Sequence, residues 1–269
     1  MTKICLDAGH YGKYNQSPAN KAYYEAEMNW KLHNLLKKYL KQKGFEVIQT
    51  RSNQATDLAL TSRGRLARGC DLFLSIHSNA VGSGVNETID YPVAYVSISG
   101  KADDIGLKLA RCVESVMDTD QKARIEHKKG SNGDYYGVLR GAAAAGVPGV
   151  ILEHSFHTNT RMTNWLLDDG NLDKLAKAEA DVIADYFGVK KQTGNAGADL
   201  LRVQVGAYSV EKNADNQLAK VKAAGFTDAF KVKVGGLWKI QVGAYSVRAN
   251  AEKQLAKLKK AGFDAFITQ

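Results

Sequence analysis

Over the first 189 positions, two hydrophobic rhythms alternate. Dense β-type runs occupy 3–7, 45–50, 71–76, 92–98 and 148–153. Stretches with helical spacing lie between and after them, at 25–43, 56–68, 101–117, 137–145 and 171–187. In 25–43, Leu32, Leu35, Leu36, Tyr39 and Leu40 recur on one helix face, and Gly44 supplies the stop. The alternation predicts an α/β fold: a mixed, mostly parallel sheet flanked by helices. Ligand sites in such folds collect at the carboxyl ends of the strands.

The rhythm breaks at 190–199, a small, polar, apolar-poor stretch that reads as a linker. The remaining segment, 200–269, repeats itself. Leu201-Arg-Val-Gln-Val-Gly-Ala-Tyr-Ser-Val210 matches Trp238-Lys-Ile-Gln-Val-Gly-Ala-Tyr-Ser-Val247, and Ala224-Gly-Phe226 matches Ala261-Gly-Phe263. Each copy predicts strand, helix, glycine stop, strand. One copy cannot bury its sheet face alone, so the two are expected to share one sheet with both helices on its back, a small α+β unit. Alternation places Val203, Val205, Ile240 and Val242 toward the helices, and Arg202, Gln204, Lys239 and Gln241 on the open face.

Length and composition suit a folded chain with a second, smaller domain. No apolar run is long enough to cross a bilayer, which predicts no membrane insertion. The strand-like start at Lys3 leaves no room for a secretory leader, so synthesis in the cytoplasm is expected. Cys5, Cys70 and Cys112 are odd in number and lack metal-type spacing, which predicts reduced, buried thiols. The net charge is +9, and 200–269 carries 12 Lys and Arg against 5 Asp and Glu. The basic tail points to a polyanionic target: nucleic acid, anionic lipid or acidic cell wall. Few ring side chains are expected in the open beyond Tyr208, Tyr245 and Trp238, which argues against base stacking.

Three apolar runs end on metal-type or acid–base residues: Asp7-Ala8-Gly9-His10, Ser75-Ile76-His77-Ser78-Asn79 and Leu152-Glu153-His154. Glu25 opens the first helix. Taken singly, each has a plain reading: a core histidine, or an acid suited to a helix start. Glu153 resists it, because a carboxylate ending the most hydrophobic strand is costly unless paired or set in a cleft. Together, two histidines and a glutamate form a set suited to catalytic zinc, and the second glutamate is left over as a base.

These residues carry a resemblance. The first 189 resemble the zinc-dependent N-acetylmuramoyl-L-alanine amidases of bacterial autolysins and phage endolysins. The matching marks are Asp-x-Gly-His at 7–10, Glu-x-x-x-Asn at 25–29, Arg63 with Ser-Ile-His-x-Asn-Ala at 75–80, and Pro-x-Val-Ile-Leu-Glu at 148–153 with Asn159 downstream. The tail resembles a SPOR domain, a module that binds peptidoglycan glycan strands lacking stem peptides. The resemblance implies that His10, Glu25 and His77 hold one zinc ion (Zn2+), and that Glu153 serves as general base and then general acid. The implied substrate is bacterial peptidoglycan, cut between N-acetylmuramic acid and L-alanine. Arg202, Gln204, Tyr208, Lys239, Gln241 and Tyr245 are the tail residues expected to contact it, and no nucleic-acid partner is expected.

The chain departs from the family at His127-Lys-Lys-Gly-Ser-Asn-Gly-Asp134, which does not align, and at His154, which strand alternation turns away from the metal. Asp7 has two readings, acceptor for a site residue or former of the turn. His33 and His157 read as structural or solvent-facing. Two settings fit a leaderless wall hydrolase, a phage endolysin and a sporulation enzyme that lyses the mother cell; the endolysin is the one expected. A non-catalytic wall-binding protein and a peptidase cutting within the stem peptide are the competing classes.

Overall fold

The structure, a computed structural model, describes residues 1–82, 84–189, 201–245 and 248–268. The stretch 190–199, read as a linker, lies outside them. The chain divides into two compact units, Met1–Lys191 and Gln192–Gln269.

The first unit runs β1 (Lys3–Ala8), α1 (Glu25–Gln42), β2 (Glu46–Gln49), α2 (Leu60–Arg65), β3 (Leu72–Asn79), β4 (Val93–Val96), α3 (Asp103–Met117), β5 (Arg124–His127), the two-residue β6 (Lys129–Gly130) and β7 (Gly133–Asp134), α4 (Gly137–Ala144), β8 (Gly149–Phe156), α5 (Thr160–Leu167) and α6 (Asp169–Tyr186). Six strands form one sheet in the order β2-β1-β3-β8-β4-β5. Neighbours are parallel except β4 and β8, so the sheet is mixed and largely parallel. β1, β3 and β8 are central, and their carboxyl ends open on the same edge. β8 is buried along its whole length, which is why it reads as a continuous apolar run.

Helices cover both faces. Leu32, Leu36 and Leu40 of α1, Leu109 of α3 and Leu175 and Ile183 of α6 pack against Leu6, Leu74 and Leu152. On the other face Val138, Leu139 and Ala142 of α4 meet Cys5, Phe73 and Ile151. There α2 crosses α4 backbone to backbone. A Cβ on Gly64 would lie 2.0 Å from the Val138 carbonyl oxygen, and one on Gly141 2.3 Å from that of Thr61, so only glycine allows the approach. Two elements escape the hydrophobic pattern. β5 is an edge strand with one aliphatic residue, Ile125. α5 is eight residues long, and its start is marked by Asn159, whose side chain accepts from the Met162 N–H at 3.1 Å. Cys5 and Cys70 are buried free thiols, whereas Cys112 is only half-buried.

His33 is structural, as the sequence suggests. It is 1% exposed, stacks on Trp30 at 5.3 Å, and its Nδ1 has no partner among the described residues. Burial, with Lys37 nearby, pushes its pKa down to about 4. The unfolded chain therefore binds a proton near pH 6.5 that the folded chain refuses until about pH 4. Stability is full above pH 6.5 and falls as the pH drops through that window, by up to about 3 kcal/mol. Urea unfolding from pH 7 to pH 4 is expected to show this loss in the wild type and a flatter profile in His33→Leu.

The second unit runs β9 (Leu201–Tyr208), α7 (Glu211–Ala223), β10 (Phe230–Val234), β11 (Leu237–Tyr245), α8 (Arg248–Lys260) and β12 (Phe266–Thr268), with strand order β10-β11-β9-β12. The two repeats exchange partners: β10 of the first pairs with β11 of the second, and β12 of the second with β9 of the first. Neither repeat's own strands pair, so neither copy has a sheet without the other. Val203, Val205, Ile240 and Val242 are buried against the helices, as alternation requires.

Candidate active site

The site is built at the carboxyl ends of β1, β3 and β8. β1 turns sharply after Ala8. Gly9 is needed there because a Cβ would lie 2.3 Å from the His77 ring. His10 follows in the left-handed region, φ 55°, a conformation a non-glycine residue keeps only where its surroundings impose it. Those surroundings are visible. Arg51 donates to the Ala8 carbonyl from Nε and Nη2 at 3.3 and 3.2 Å while its guanidinium covers the Trp30 ring at 4.8 Å. Beneath the turn, fully buried Asp7 accepts from Arg63 Nε at 2.9 Å, Ser75 Oγ at 2.6 Å and Thr50 Oγ1 at 2.6 Å. Burial alone would raise the Asp7 pKa, but the Arg63 charge and these hydrogen bonds overcome it and hold the carboxyl below its usual range. Asp7 thus anchors the turn through Arg63; breaking such a buried pair costs about 3–5 kcal/mol.

Glu25, first residue of α1, is 2% exposed and is no surface decoration of a helix start. Its Oε1 accepts from the Ser78 N–H at 3.1 Å and lies 2.9 Å from His77 Nδ1. Its Oε2 accepts from Asn15 Nδ2 at 2.7 Å and lies 3.2 Å from His10 Nε2. Asn29, one turn further along the same face, donates to the Gly9 carbonyl at 3.1 Å and lies 3.4 Å from Glu25 Oε1. That contact explains the Glu-x-x-x-Asn spacing. Burial would raise the Glu25 pKa, yet its bonds to His10 and His77 hold it well below the usual range. Burial lowers the His77 pKa, leaving an uncharged imidazole with a lone pair to give. One donor atom from each of His10, Glu25 and His77 lies within 4.8 Å of the others.

Glu153 sits beside this set. It is the direct register partner of His77 across β3 and β8, is 9% exposed, and its Oε2 has no hydrogen-bond partner among the described residues. Burial and the Glu25 charge push its pKa well above the usual range, against an opposing pull from Lys128. Two buried carboxylates, one unpartnered, beside an uncharged imidazole form a pocket short of positive charge. A divalent cation on His10, Glu25 and His77 would supply it, and the donor set fits catalytic zinc.

His154 points the other way. It bonds to the His77 carbonyl through Nδ1 at 2.8 Å and to Glu179 of α6 through Nε2 at 2.6 Å. A bulge at Ser155, φ 62°, comes directly after it and ends the regular pairing with β3. His157 is buried behind the site, 2.9 Å from Ser78 Oγ. Asn15, Ser78, Arg51 and Lys128 went unread in the sequence. Asn15 lies in an irregular loop, Ser78 follows His77 but acts through its backbone N–H, and Arg51 and Lys128 show no spacing that ties them to the site.

In the second unit, Arg202, Gln204, Lys239 and Gln241 line a concavity of about 430 Å³ with Val232, Val234 and Thr268. Gln204, expected in the open, is 5% exposed, and its amide donates to the Gly206 carbonyl at 3.1 Å. Phe230, Gln241, Gln204 and Phe266 form one row across all four strands, and the two outer rings are about half exposed. These are the unit's exposed rings among the described residues. Their signal was the Asp-Ala-Phe tripeptide at 228–230 and again at 264–266. Tyr208 and Tyr245, expected as contact residues, and Trp238 are half-buried and pack against the core. The two tyrosines fold over Gly206 and Gly243, φ 76° and 102°.

Fold and site thus define an α/β protein with a candidate metal centre where its parallel strands end. Comparison with known proteins gives the family: the N-acetylmuramoyl-L-alanine amidase profile matches residues 4–185, and the chain belongs to that family. The SPOR domain profile matches 198–269. The amidase CwlM of Bacillus licheniformis is 31% identical over 84% of this chain and 83% of its own. A sporulation-specific amidase of Bacillus subtilis is 29% identical over 87% and 86%, and an endolysin of Bacillus phage SPP1 27% over 73% and 70%. Among solved structures, the catalytic domain of the amidase CwlV of Paenibacillus polymyxa aligns with a TM-score of 0.59 at 25% identity, covering 71% of this chain and all of that domain. No helix among the described residues is long and apolar enough to cross a membrane.

Proposed function

We propose that the chain is a zinc-dependent peptidoglycan amidase that hydrolyses the bond between N-acetylmuramic acid and the L-alanine of the stem peptide. The observation that carries the reading is the meeting of His10, Glu25 and His77 within 4.8 Å, with Glu153 in register beside His77. Zinc held by such a set polarises a carbonyl and brings the pKa of water toward ~7. Asn15, Asn29 and the Ser78 N–H fix the Glu25 carboxylate, and Arg51 and Arg63 fix the turn that carries His10. Glu153, with its unpartnered Oε2, takes a proton from the attacking water and returns it to the leaving nitrogen. Its pKa, raised by burial and the Glu25 charge, suits a group that must take up a proton before it gives one away.

The second unit is the targeting module in this reading. The concavity lined by Arg202, Gln204, Lys239 and Gln241, flanked by Phe230 and Phe266, offers amides, cations and ring faces to a sugar chain. The setting favoured is bacterial rather than phage. The sporulation-specific relative matches more of this chain than the endolysin does, and at slightly higher identity. Digestion of purified wall tests the reaction: mass spectrometry is expected to show free stem peptides with a new N-terminal L-alanine and intact glycan. A new amine elsewhere in the peptide would make the protein a peptidase instead.

A further inference from the structure

The amide to be cut joins a sugar's lactyl group to a peptide, so the two halves of the substrate lie on opposite sides of the reacting bond. The strands that deliver the site run β1, β3, β8 and then β4. His10 leaves β1 and Glu153 belongs to β8, so the nitrogen that Glu153 must protonate lies toward β8 and β4. This placement rests on the proposed amidase reaction. The peptide half of the substrate then runs over β4 and its neighbours, and the sugar half lies toward β1. On the β1 side, half-exposed Tyr14 stacks on His10 at 5.3 Å, a flat face suited to a sugar ring.

The β4 side carries different chemistry. Tyr95, on β4, stands two residues from Val93, the register partner of Glu153, and on the same face of the sheet. Lys128 comes just after β5, and its ammonium lies 4.3 Å from the centre of the Tyr95 ring. It also donates to the phenol oxygens of Tyr95 and Tyr136, each at 3.3 Å. These two oxygens are its hydrogen-bond partners among the described residues, so at least one of its three protons is left for a ligand. Neither acid close to Lys128 in sequence forms an ion pair with it among the described residues: Glu126 is the register partner of Tyr95, and Asp134 is 3% exposed and accepts from Ser97 Oγ at 3.0 Å and the Ile98 N–H at 2.7 Å. Lys128 is close enough to Glu153 for its charge to oppose the upward shift of that carboxyl. The structure thus holds a cation in place by two phenols, one of them on the strand that pairs with the strand of Glu153 and on the same sheet face, with no carboxylate partner among the described residues.

We propose that Lys128, seated on Tyr95 and Tyr136, is the subsite for a free carboxylate of the stem peptide on the amine side of the cleaved bond. The site selects acidic stem peptides over amidated ones. The neutral phenols position the cation without cancelling its charge, and the rings shield one side of it from water.

The test uses the full zinc-loaded chain and two soluble muropeptides that differ only in whether the carboxylates of the peptide are free or amidated. With the free-carboxylate substrate, Lys128→Gln is expected to raise KM about five- to tenfold, the effect of one partly shielded charge-assisted hydrogen bond. With the amidated substrate, the KM of variant and wild type should coincide, and any change in kcat that passes through Glu153 should be the same on both substrates. Added salt should raise the wild-type KM for the acidic substrate and leave that of Lys128→Gln almost flat. Lys128→Arg should keep most of the preference. An equal rise in KM on both substrates, or none on either, overturns the subsite. Failure of the wild type to cleave either substrate overturns the amidase reading itself.

Discussion

Replacing Glu153 with Gln is expected to lower kcat by about 10²–10⁴-fold while leaving bound metal and fold intact. Gln keeps the size and shape of the side chain but cannot carry a proton from water to the leaving nitrogen. The fold should not suffer. Glu153 is buried with one oxygen unpartnered and its pKa raised by burial and by Glu25, so its charge costs stability at neutral pH. Because that pKa lies above the value for an unfolded glutamate, the charged form disfavours the folded state increasingly as the pH rises. Glu153→Gln should therefore melt at or above the wild-type temperature at pH 7. Turnover within tenfold of the wild type, at equal metal content, would remove Glu153 from the chemistry.

The second expectation concerns the metal set. His77→Ala is expected to lose metal affinity by more than ~100-fold and to abolish detectable hydrolysis, since losing even an outer hydrogen-bond partner of a ligand costs about 10–100-fold. Asn15→Ala and Asn29→Ala, which remove only bonds near Glu25, should fall inside that smaller range. Metal content after dialysis measures the series. Thermal melting with and without a chelator gives a second readout: the wild type should lose stability when metal is withdrawn, and His77→Ala should not respond. A His77→Ala protein that kept its metal and its chelator response would place the ion elsewhere.

The carboxylates at the site are satisfied unequally. Asp7 is neutralised by Arg63 below the turn and Glu25 is held by two histidines, while Glu153 is left unsatisfied where a proton must move. Lys128 adds the remaining fixed charge on the peptide side. In the proposed reading the tail separates recognition from chemistry. Its two repeats trade edge strands to make one face, and its ring side chains there come from the short second strand of each copy.

The sequence determined what local periodicity and local chemistry can determine. The alternation of strand and helix, the helix face of Leu32, Leu36 and Leu40, the strand ends at His10, His77 and Glu153, and the doubled tail are all legible because each depends on residues a few positions apart. Tertiary structure alone decided what depends on contacts across the sheet or between distant loops. Asp7 meets Arg63 across 56 positions, His154 turns to Glu179, and Asn15 reaches Glu25 out of an irregular loop. It also laid Tyr208 and Tyr245, half-buried, against the core and exposed Phe230 and Phe266. Glycines with positive φ break strand alternation before both tyrosines, and a strand's period predicts a side chain's face only while the backbone stays regular.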